Sequence, residues 1–266
     1  VIHDINFEHF PEDIPKAPRN YFRKYFPLFA KKASALLTVS EFSKQDIVEA
    51  YNIEADKITV AHNGASDLFQ PIDENRKAEI RKEYTKGKPY FIFVGALHPR
   101  KNIDRLFKAF DHFKTATGSD TQLLIVGTPL FKNSTYGQKL NQLKHKNAVH
   151  FSGHVDLKIL TQLMAGAKAL TFISYFEGFG IPLVEAMKAG TPILSGNKTS
   201  LPEVAGEAAL FVDPFSVESI TEGLKKIDQD EALRTSLSAK GLERGKTFSW
   251  DNTANKIWSV LQKVRN

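Results

Sequence analysis

Residues 174–192 read S-Y-F-E-G-F-G-I-P-L-V-E-A-M-K-A-G-T-P, and this stretch decides the fold. The apolar segment at 169–173 precedes it and has the composition of a buried strand. Gly178 and Gly180 then mark a tight turn, and Pro182 marks the first turn of a helix. A strand, a glycine-rich turn and a helix in this order aim free backbone N–H groups at an anion. The stretch therefore predicts an α/β fold with an anion site at the turn.

Two carboxylates, Glu177 and Glu185, lie on this stretch with seven residues between them. Glu177 stays in the loop, whereas we expect Glu185 on the first turn of the helix, just beyond the anion site. A carboxylate at that position can accept both hydroxyls of a ribose, as acidic residues do in dinucleotide-binding folds. The alternative is an ordinary α/β turn in which Glu185 only complements the helix dipole. We interpret the stretch as a site for a nucleotide-diphosphate sugar.

The composition of the 266-residue chain is that of a globular protein, with 42% apolar and 25% charged residues. No apolar run in the sequence approaches the roughly 18 residues that a membrane helix needs. The chain has no cysteine, which excludes disulfides, thiolate metal sites and cysteine nucleophiles. The formal charge of +6 suits an anionic partner, whether a phosphate, a nucleotide, an acidic lipid or a nucleic acid, and does not choose among them.

From residue 89 onward, apolar strand segments alternate with helical segments. The predicted strands are 90–94, 122–126, 149–151, 169–173, 192–194 and 209–212. The predicted helices are 104–114, 136–146, 157–165, 182–189, 218–226 and 231–244. Such alternation predicts a parallel sheet with helices on both faces, and ligands of such sheets bind beyond the carboxyl ends of the strands. The loops expected at that edge begin at Gly95, Gly127, Gly153 and Glu177.

The segment from Ile14 to Ser40 carries six basic residues and no acidic one, interleaved with aromatic and apolar residues. A basic and aromatic helix of this kind can lie on an anionic membrane surface. The alternative is a helix that packs on the core and leaves a basic face in solvent. The sequence leaves both interpretations open.

Two further groups are candidates for chemistry. Arg100 and Lys101 follow the 90–94 strand, where adjacent cations facing a helix amino terminus can neutralise a diphosphate. His3 and Asp4 form a candidate catalytic pair, although an isolated histidine at a strand end is more often structural. The other histidines have no spacing that suits a metal site, and we interpret D-Q-D at 228–230 as a helix boundary with a cap.

Four motifs occur together in this sequence: E-G-F-G at 177–180 followed by Glu185, G-A-L-H-P-R-K-N at 95–102, T-V-S-E-F-S at 38–43, and N-G at 63–64. Together they resemble the retaining glycosyltransferases of family 4, the group 1 glycosyltransferases. That family has the two-domain GT-B fold, and the resemblance covers nearly the whole chain. It implies α/β architecture of GT-B type, with one Rossmann-like parallel sheet and the remnant of a second Rossmann-like domain.

The resemblance also implies roles for individual residues. Arg100 and Lys101 would hold the donor diphosphate, and Glu177 would contact the donor sugar. Glu185 would bind the ribose hydroxyls, and His3 would reach the sugar across the cleft. The catalytic set is thus Glu177, Arg100, Lys101 and His3. The donor-binding set is Gly95, Gly153, Val155, Gly178, Phe179, Gly180, Ile181, Leu183 and Glu185, with the amides of 179–181 on the phosphates and 153–155 beside the base.

The resemblance predicts three parts: residues 1–70 as the remnant of an amino-terminal, acceptor-side domain, 71–249 as the nucleotide-sugar-binding domain, and 250–266 as a helix that crosses back. The family has a complete amino-terminal domain, so we expect that about half of that domain precedes Val1 in a longer parent protein. The missing half would include a glycine-rich loop that helps to bind donor and acceptor. Whether this chain alone turns over substrate is left open.

The function that the resemblance implies is metal-independent transfer of a hexose from a nucleotide-diphosphate sugar to a glycan or lipid-linked acceptor, with retention of configuration. It needs no cofactor, and GDP-mannose is a slightly better candidate donor than a UDP-sugar. We expect a cytoplasmic protein, with peripheral contact to the inner membrane surface through 14–40 and no nucleic-acid partner. The alternatives are a non-catalytic nucleotide-sugar-binding or membrane-docking module, and a GT-B phosphorylase or epimerase.

Overall fold

The computed structural model describes residues 1–128 and 136–265. Its strands are β1 Leu36–Thr38, β2 Ile58–Val60, β3 Tyr90–Val94, β4 Gln122–Val126, β5 Val149–Gly153, β6 Ala169–Phe172, β7 Ile193–Gly196 and β8 Ala209–Val212. Its helices are α1 Asn6–His9, α2 Lys16–Lys32, α3 Glu41–Tyr51, α4 Glu74–Thr85, α5 Ile103–Thr117, α6 Tyr136–Asn141, α7 Leu157–Gly166, α8 Ile181–Lys188, α9 Leu201–Ala205, α10 Val217–Gln229, α11 Glu231–Gly245 and α12 Trp250–Arg265. The predicted alternation of strands and helices after residue 89 is confirmed.

The larger sheet has six strands in the order β5-β4-β3-β6-β7-β8, and every described pair in it is parallel. The chain builds outward from β3 in one direction, then crosses to β6 and builds outward in the other. The strand order therefore reverses between β3 and β6. In an open parallel sheet the crevice at such a reversal, beyond the carboxyl ends of the strands, is the usual ligand site.

The core of this part has a helix layer on each face of the sheet. Tyr90, Ile92 and Val94 point into one layer, whereas Phe91 and Phe93 point into the other, as the two-residue period of a strand requires. Both faces of β3 are buried, which explains why the sequence of this strand is continuously apolar instead of alternating. Helices α4, α7 and α8 line the first face, and α5 and α10 line the second.

The amino-terminal residues form a smaller unit around the parallel pair β1 and β2. His3 does not lie at a strand end, as the sequence suggested, because residues 1–5 have no strand structure. The Ile2 amide donates to the Leu37 carbonyl at 2.9 Å, but no second ladder bond follows, since the chain turns into α1 at Asn6. Ile2 is nevertheless buried in the core of this unit.

Helix α2 is the predicted basic and aromatic segment. Phe22 and Phe26 pack against Phe7, with ring centroids 5.3 and 5.0 Å apart, whereas Tyr21 and Phe29 are about half exposed. The structure thus gives this helix a core-packed face and an exposed face that is also partly aromatic. None of the helices within residues 1–128 and 136–265 combines the length and apolar content that a membrane crossing requires.

The carboxyl-terminal helix α12 lies against the amino-terminal unit. The Thr253 hydroxyl donates to the His62 carbonyl at 2.5 Å, and Lys256 Nζ donates to the Val60 carbonyl at 3.2 Å. Gly64 allows the close approach, because a Cβ at this position would lie 2.4 Å from the Trp250 nitrogen. The division at residues 70 and 249 into separate domains stays a prediction.

Candidate active site

Arg100, Lys101 and Glu177 form an ion-paired triad at the reversal point of the sheet. Arg100 Nη1 lies 2.5 Å from one Glu177 oxygen, and Lys101 Nζ lies 2.7 Å from the other. Burial opposes ionisation of Glu177, but the charges of Lys101 and Arg100 outweigh it and lower the pKa of Glu177 to about 2. The carboxylate is therefore ionised at neutral pH and is held by two cations that the sequence places 76 and 77 residues away.

The loop after β3 is fixed to the loops after β6 and β8 by backbone contacts. The Tyr175 amide donates to the Arg100 carbonyl at 3.0 Å. The Asn102 side-chain amide donates to the Ile173 and Pro214 carbonyls at 3.0 and 2.6 Å. Asn102 has a left-handed backbone (φ 62°) that ends the turn carrying both cations and starts α5. Asn102 therefore positions Arg100 and Lys101. The sequence analysis included Asn102 in the 95–102 motif but predicted no role for it.

His98, in the same loop, caps this turn. Its ring nitrogen Nδ1 accepts from the Arg100 amide at 3.3 Å, and the side chain is buried. Burial, reinforced by the Arg100 and Lys101 charges, lowers the pKa of His98 to about 4. The imidazole is therefore neutral at pH 7 and adds no third positive charge to the site.

Glu185 lies on α8, but not in its first turn as predicted. The helix begins at Ile181, one residue before Pro182, because Gly180 adopts a left-handed backbone (φ 98°) and starts it. Glu185 is consequently the fifth helical residue and too far along for a first-turn dipole contact. Within the described residues its carboxylate has no ion pair and no hydrogen-bond donor, and burial raises its pKa to about 7. A solvent-exposed glutamate that only complemented the helix dipole would not be buried in this way, and its pKa would not be raised.

The backbone amides predicted to face the phosphates lie at the start of α8. Within the described residues, the N–H groups of Gly178, Phe179, Gly180 and Ile181 have no hydrogen-bond acceptor. Successive free N–H groups in such a loop, at a helix amino terminus, make an anion-binding concavity. The structure thus leaves available the amides for which the sequence predicted a ligand.

The remaining predicted residues fall into two groups. Gly95 and Gly153 are at the carboxyl ends of β3 and β5 with positive φ angles (142° and 71°), and Val155 is partly buried just beyond. Leu183, in contrast, is fully buried in the core, and its amide donates to the Gly180 carbonyl at 2.9 Å. The structure therefore gives Leu183 a supporting position under the turn, and its role in donor binding stays a prediction.

His3 and Asp4 lie against the Glu177 loop from the amino-terminal side. A Cβ built on Gly178 would be 2.7 Å from the His3 carbonyl oxygen and 2.8 Å from the Asp4 Cβ. The His3 side chain is exposed, and the Asp4 carboxylate accepts from the Asn6 amide at 3.1 Å. The structure brings this pair to the site, but does not pair the imidazole with the carboxylate.

Thr199 and Ser200 were missed in the sequence. The Glu177 amide donates to the Thr199 hydroxyl at 3.1 Å, and Ser200 donates to carbonyls of the same loop. Both residues follow β7, at the carboxyl edge of the sheet, so their position after a predicted strand was the available signal. Short polar residues occur in many loops, however, and nothing in the sequence separates these two from the others.

The expectation that the protein needs no metal ion stays a prediction. Among residues 1–128 and 136–265, no three His, Cys, Asp or Glu side chains group together as metal ligands would. The D-Q-D sequence is a helix boundary as predicted: Asp230 accepts from the Leu233 amide at 2.8 Å and caps α11. Asp228 instead pairs with Lys168 at 2.6 Å.

Gly178→Ala is expected to lower the free energy of unfolding by about 1–3 kcal/mol, because its methyl group would meet the backbone of His3 and force the amino-terminal segment off the loop. Gly137→Ala is the control: it lies in α6 with open space around the new Cβ, and we expect a gain of up to about 1 kcal/mol. Urea unfolding followed by circular dichroism measures both. Equal behaviour of the two variants would contradict the tight contact at Gly178.

Comparison with known proteins agrees with the resemblance inferred from the motifs. The profile of the family described as "Glycosyl transferases group 1" matches residues 75–244. The profile described as "Glycosyltransferase Family 4" matches residues 1–67. The two matches together cover the six-stranded sheet, the triad and the amino-terminal unit.

Curated relatives include O-antigen chain mannosyltransferase B of Escherichia coli, which is 32% identical over 253 residues. O-antigen chain mannosyltransferase RfbU of Salmonella typhimurium is 31% identical over 229 residues. These alignments cover 95% and 86% of this chain. The chain spans 66% and 60% of the lengths of these two relatives.

Solved structures with the same fold include HepE of Anabaena in complex with UDP and glucose, with a TM-score of 0.84 and 20% identity. WaaG, a glycosyltransferase involved in lipopolysaccharide biosynthesis, has a TM-score of 0.79 and 20% identity. The superpositions cover 98% and 97% of this chain and 70% and 72% of those chains. The reversal point of the sheet, the motifs on it and the family match lead to one conclusion: the chain belongs to the group 1 glycosyltransferases and has the α/β architecture of the GT-B fold.

Proposed function

We propose that the whole protein transfers a hexose from a nucleotide-diphosphate sugar to a glycan or lipid-linked acceptor, with retention of configuration and without a metal ion. The observation that carries this proposal is the pairing of Arg100 and Lys101, at the reversal point of the sheet, with a glycine-rich loop whose amides 178–181 lack acceptors. Two cations and a set of free N–H groups are the arrangement that a diphosphate needs.

In this proposal Arg100 and Lys101 bind the diphosphate, and Glu177, which they hold in place, contacts the hexose. Glu185 accepts the ribose hydroxyls, which would supply hydrogen-bond donors to a carboxylate that has none among the described residues. Gly95 and the 153–155 segment border the donor, and His3 approaches the hexose from the amino-terminal side. Two positive side chains at the diphosphate replace the charge that a divalent cation would otherwise provide.

Transfer breaks the bond between the anomeric carbon and the diphosphate oxygen and forms a bond from the same face of the sugar to the acceptor oxygen. The acceptor proton moves to a diphosphate oxygen, so the products are the glycoside and the nucleoside diphosphate. Arg100, Lys101 and the amino terminus of α8 stabilise the negative charge that develops on the leaving diphosphate. No separate nucleophile on the protein is required.

GDP-mannose is the preferred candidate donor, because the relatives quoted above are named mannosyltransferases. A UDP-sugar is the second candidate, since a HepE structure contains UDP-glucose. For the acceptor, the exposed Tyr21 and Phe29 on the basic helix α2 favour peripheral contact with an anionic membrane and hence a lipid-linked glycan.

A phosphorylase is a weaker alternative, because Lys188, the lysine on helix α8, has other partners. Lys188 Nζ lies 2.7 Å from an Asp67 carboxylate oxygen and 2.9 Å from the Ala65 carbonyl. It is not available to form an imine with pyridoxal phosphate. A binding module without turnover is the remaining alternative, and only an assay of the whole protein separates it from an enzyme.

The test has two stages and uses the whole protein. Calorimetric titration with GDP, UDP and ADP is expected to give saturable binding of one nucleotide. The matching donor sugar, incubated with lipid-linked acceptor in the presence of EDTA, is then expected to yield product of unchanged anomeric configuration by NMR. Binding of the nucleotide without transfer of the sugar would favour the non-catalytic binding module. Loss of transfer in EDTA would contradict metal independence, and a product of inverted anomeric configuration would contradict retention.

A further inference from the structure

Serine hydroxyl groups hold three consecutive carbonyls of the donor loop, residues 177–179. The Ser200 hydroxyl lies 2.8 Å from the Glu177 carbonyl and 3.1 Å from the Phe179 carbonyl. The Gly178 carbonyl between them accepts from two hydroxyls, those of Ser40 at 2.6 Å and Ser43 at 3.2 Å. All three serines are fully buried. The Gly178 carbonyl is thus held by two hydroxyls, whereas the Glu177 and Phe179 carbonyls share the single proton of the Ser200 hydroxyl.

Fixing a carbonyl also fixes the next amide. In a trans peptide the C=O of one residue and the N–H of the next point in opposite directions, and the described chain has no cis peptide. The hydroxyls on the Gly178 carbonyl therefore turn the Phe179 N–H away from α3. In the same way, Ser200 turns the Gly178 and Gly180 N–H groups away from itself. These are the amides that have no acceptor in the described structure.

Two of the three serines belong to the other side of the cleft. Ser40 and Ser43 lie at the start of α3, 138 and 135 residues before Gly178. The same helix end is docked by Glu203 on α9, whose carboxylate accepts from the Glu41 amide at 2.8 Å and the Phe42 amide at 2.9 Å. A carboxylate at a helix amino terminus is stabilised by the free amides and the helix dipole.

The contact between α3 and the donor loop is thus reciprocal. Glu203 on α9 supplies a carboxylate to the amino terminus of α3, and Ser40 and Ser43 supply two hydroxyls to the donor loop. His62 also lies 3.0 Å from Glu203, which adds a third donor group from the amino-terminal side. Undocking α3 would remove both hydroxyls from the Gly178 carbonyl and leave this carbonyl of a buried residue without a hydrogen-bond partner, which is unfavourable.

We propose that Ser40 and Ser43 are positioning residues for the diphosphate: docked α3 orients the Phe179 amide toward the phosphates, so diphosphate affinity depends on a contact outside the donor-side part. This inference rests on the proposed function, because it takes the loop as the donor site. Ordinary packing of α3 would predict a stability cost for Ser43→Ala, but no selective loss of phosphate binding.

The decisive variant is Ser43→Ala in the full-length protein, since Ser43, unlike Ser40, does not cap α3. Ser238→Ala is the matched control, because its hydroxyl also donates to a glycine carbonyl, that of Gly190, at 2.7 Å and away from the loop. Glu203→Ala is a second variant that undocks α3 without touching a serine. Thermal unfolding measures the general stability of all three.

Binding is measured with pyrophosphate, with the nucleoside diphosphate that wild type prefers, and with the corresponding nucleoside. We expect Ser43→Ala and Glu203→Ala to weaken the first two about fivefold, the loss of one typical buried hydrogen bond, and to leave the nucleoside unchanged. Ser238→Ala should bind all three like wild type. Equal loss for nucleoside and pyrophosphate, or unchanged pyrophosphate affinity in Ser43→Ala, would overturn the proposal.

Hydrogen exchange gives a readout that does not depend on the ligand. The amides of Tyr175, Glu177 and Leu183 are hydrogen-bonded on either side of the free amides. Ser43→Ala should accelerate their exchange about fivefold, whereas Ser238→Ala should not. If wild type bound no diphosphate, the proposed function would fail, but accelerated exchange would still establish the positioning of the loop. Unchanged exchange in Ser43→Ala would contradict the proposal that Ser43 positions the loop.

Discussion

Replacing Glu185 by Gln is expected to stabilise the fold at pH 8 while weakening nucleotide binding about 100-fold. Burial raises the pKa of Glu185 from 4.5 to about 7 in the folded chain. The folded state therefore holds this proton more tightly than the unfolded state, and stability falls as pH rises from 4.5 to about 7. Above that range, ionisation of the buried carboxylate lowers the free energy of unfolding by up to about 3 kcal/mol. Glutamine does not ionise and so does not lose this stability.

The functional half of this prediction follows from the same carboxylate. In the proposed function the ribose hydroxyls donate to the ionised form of Glu185, so in wild type the nucleotide affinity should rise as pH increases through about 7. Glu185→Gln should lose most of that affinity, since it exchanges charge-assisted hydrogen bonds for neutral ones, and its residual binding should not change with pH in this range. Calorimetric titration between pH 5.5 and 8.5 measures this.

Glu54→Gln is the control for both halves, because Glu54 is exposed. It should shift neither stability nor affinity by a measurable amount. If Glu185→Gln destabilised the protein at pH 8, the carboxylate would have a structural partner in solution. If its nucleotide affinity stayed at the wild-type level, Glu185 would not contact the ribose.

Replacing Glu177 by Ala should lower the free energy of unfolding by about 3–5 kcal/mol at pH 7. The substitution leaves Arg100 and Lys101 without the carboxylate that both contact within 2.7 Å. Because the pKa of Glu177 is lowered from 4.5 to about 2, its contribution is complete above 4.5 and is lost as pH falls toward 2. The difference between wild type and variant should therefore shrink in acid.

Glu207→Ala is the matched control for Glu177. Glu207 also pairs with a lysine, Lys240, at 3.0 Å, but both side chains are largely exposed. Its loss should cost less than about 1 kcal/mol. Pyrophosphate adds a functional comparison: it should raise the melting temperature of Glu177→Ala more than that of wild type, because the variant leaves both cations free for the anion. An equal shift would mean that the cations do not bind the diphosphate.

Short sequence patterns were sufficient to predict the secondary structure around the candidate site and the type of sheet. The apolar 169–173 segment, the two glycines and Pro182 were sufficient to predict β6, its turn and α8. The alternation after residue 89 predicted the parallel sheet. The same reasoning placed the start of α8 one residue too late, because the left-handed Gly180 lets Ile181 enter the helix, and Glu185 therefore falls just beyond the first turn. No pattern of residue types fixes the φ angle of a glycine.

Long-range polar contacts were beyond such patterns. The sequence placed Arg100 and Lys101 opposite Glu177, but did not predict that all three form one ion-paired group. Ser40 caps α3 by accepting from the Ser43 amide, and the sequence gave no sign of its second bond, to the Gly178 carbonyl. A hydroxyl that meets a backbone carbonyl across the fold leaves no periodicity, because neither partner needs a particular neighbour.

The docking of α3 on the donor loop limits how this architecture can be recombined. In two-domain enzymes, new acceptor specificity is most simply obtained by exchanging the acceptor-side half while the donor-side half is kept. Here the halves are not interchangeable blocks, because the incoming half must bring hydroxyls to the Gly178 carbonyl and a free helix end to Glu203. Under the proposed function, an exchange that alters this contact would therefore change donor affinity together with acceptor choice.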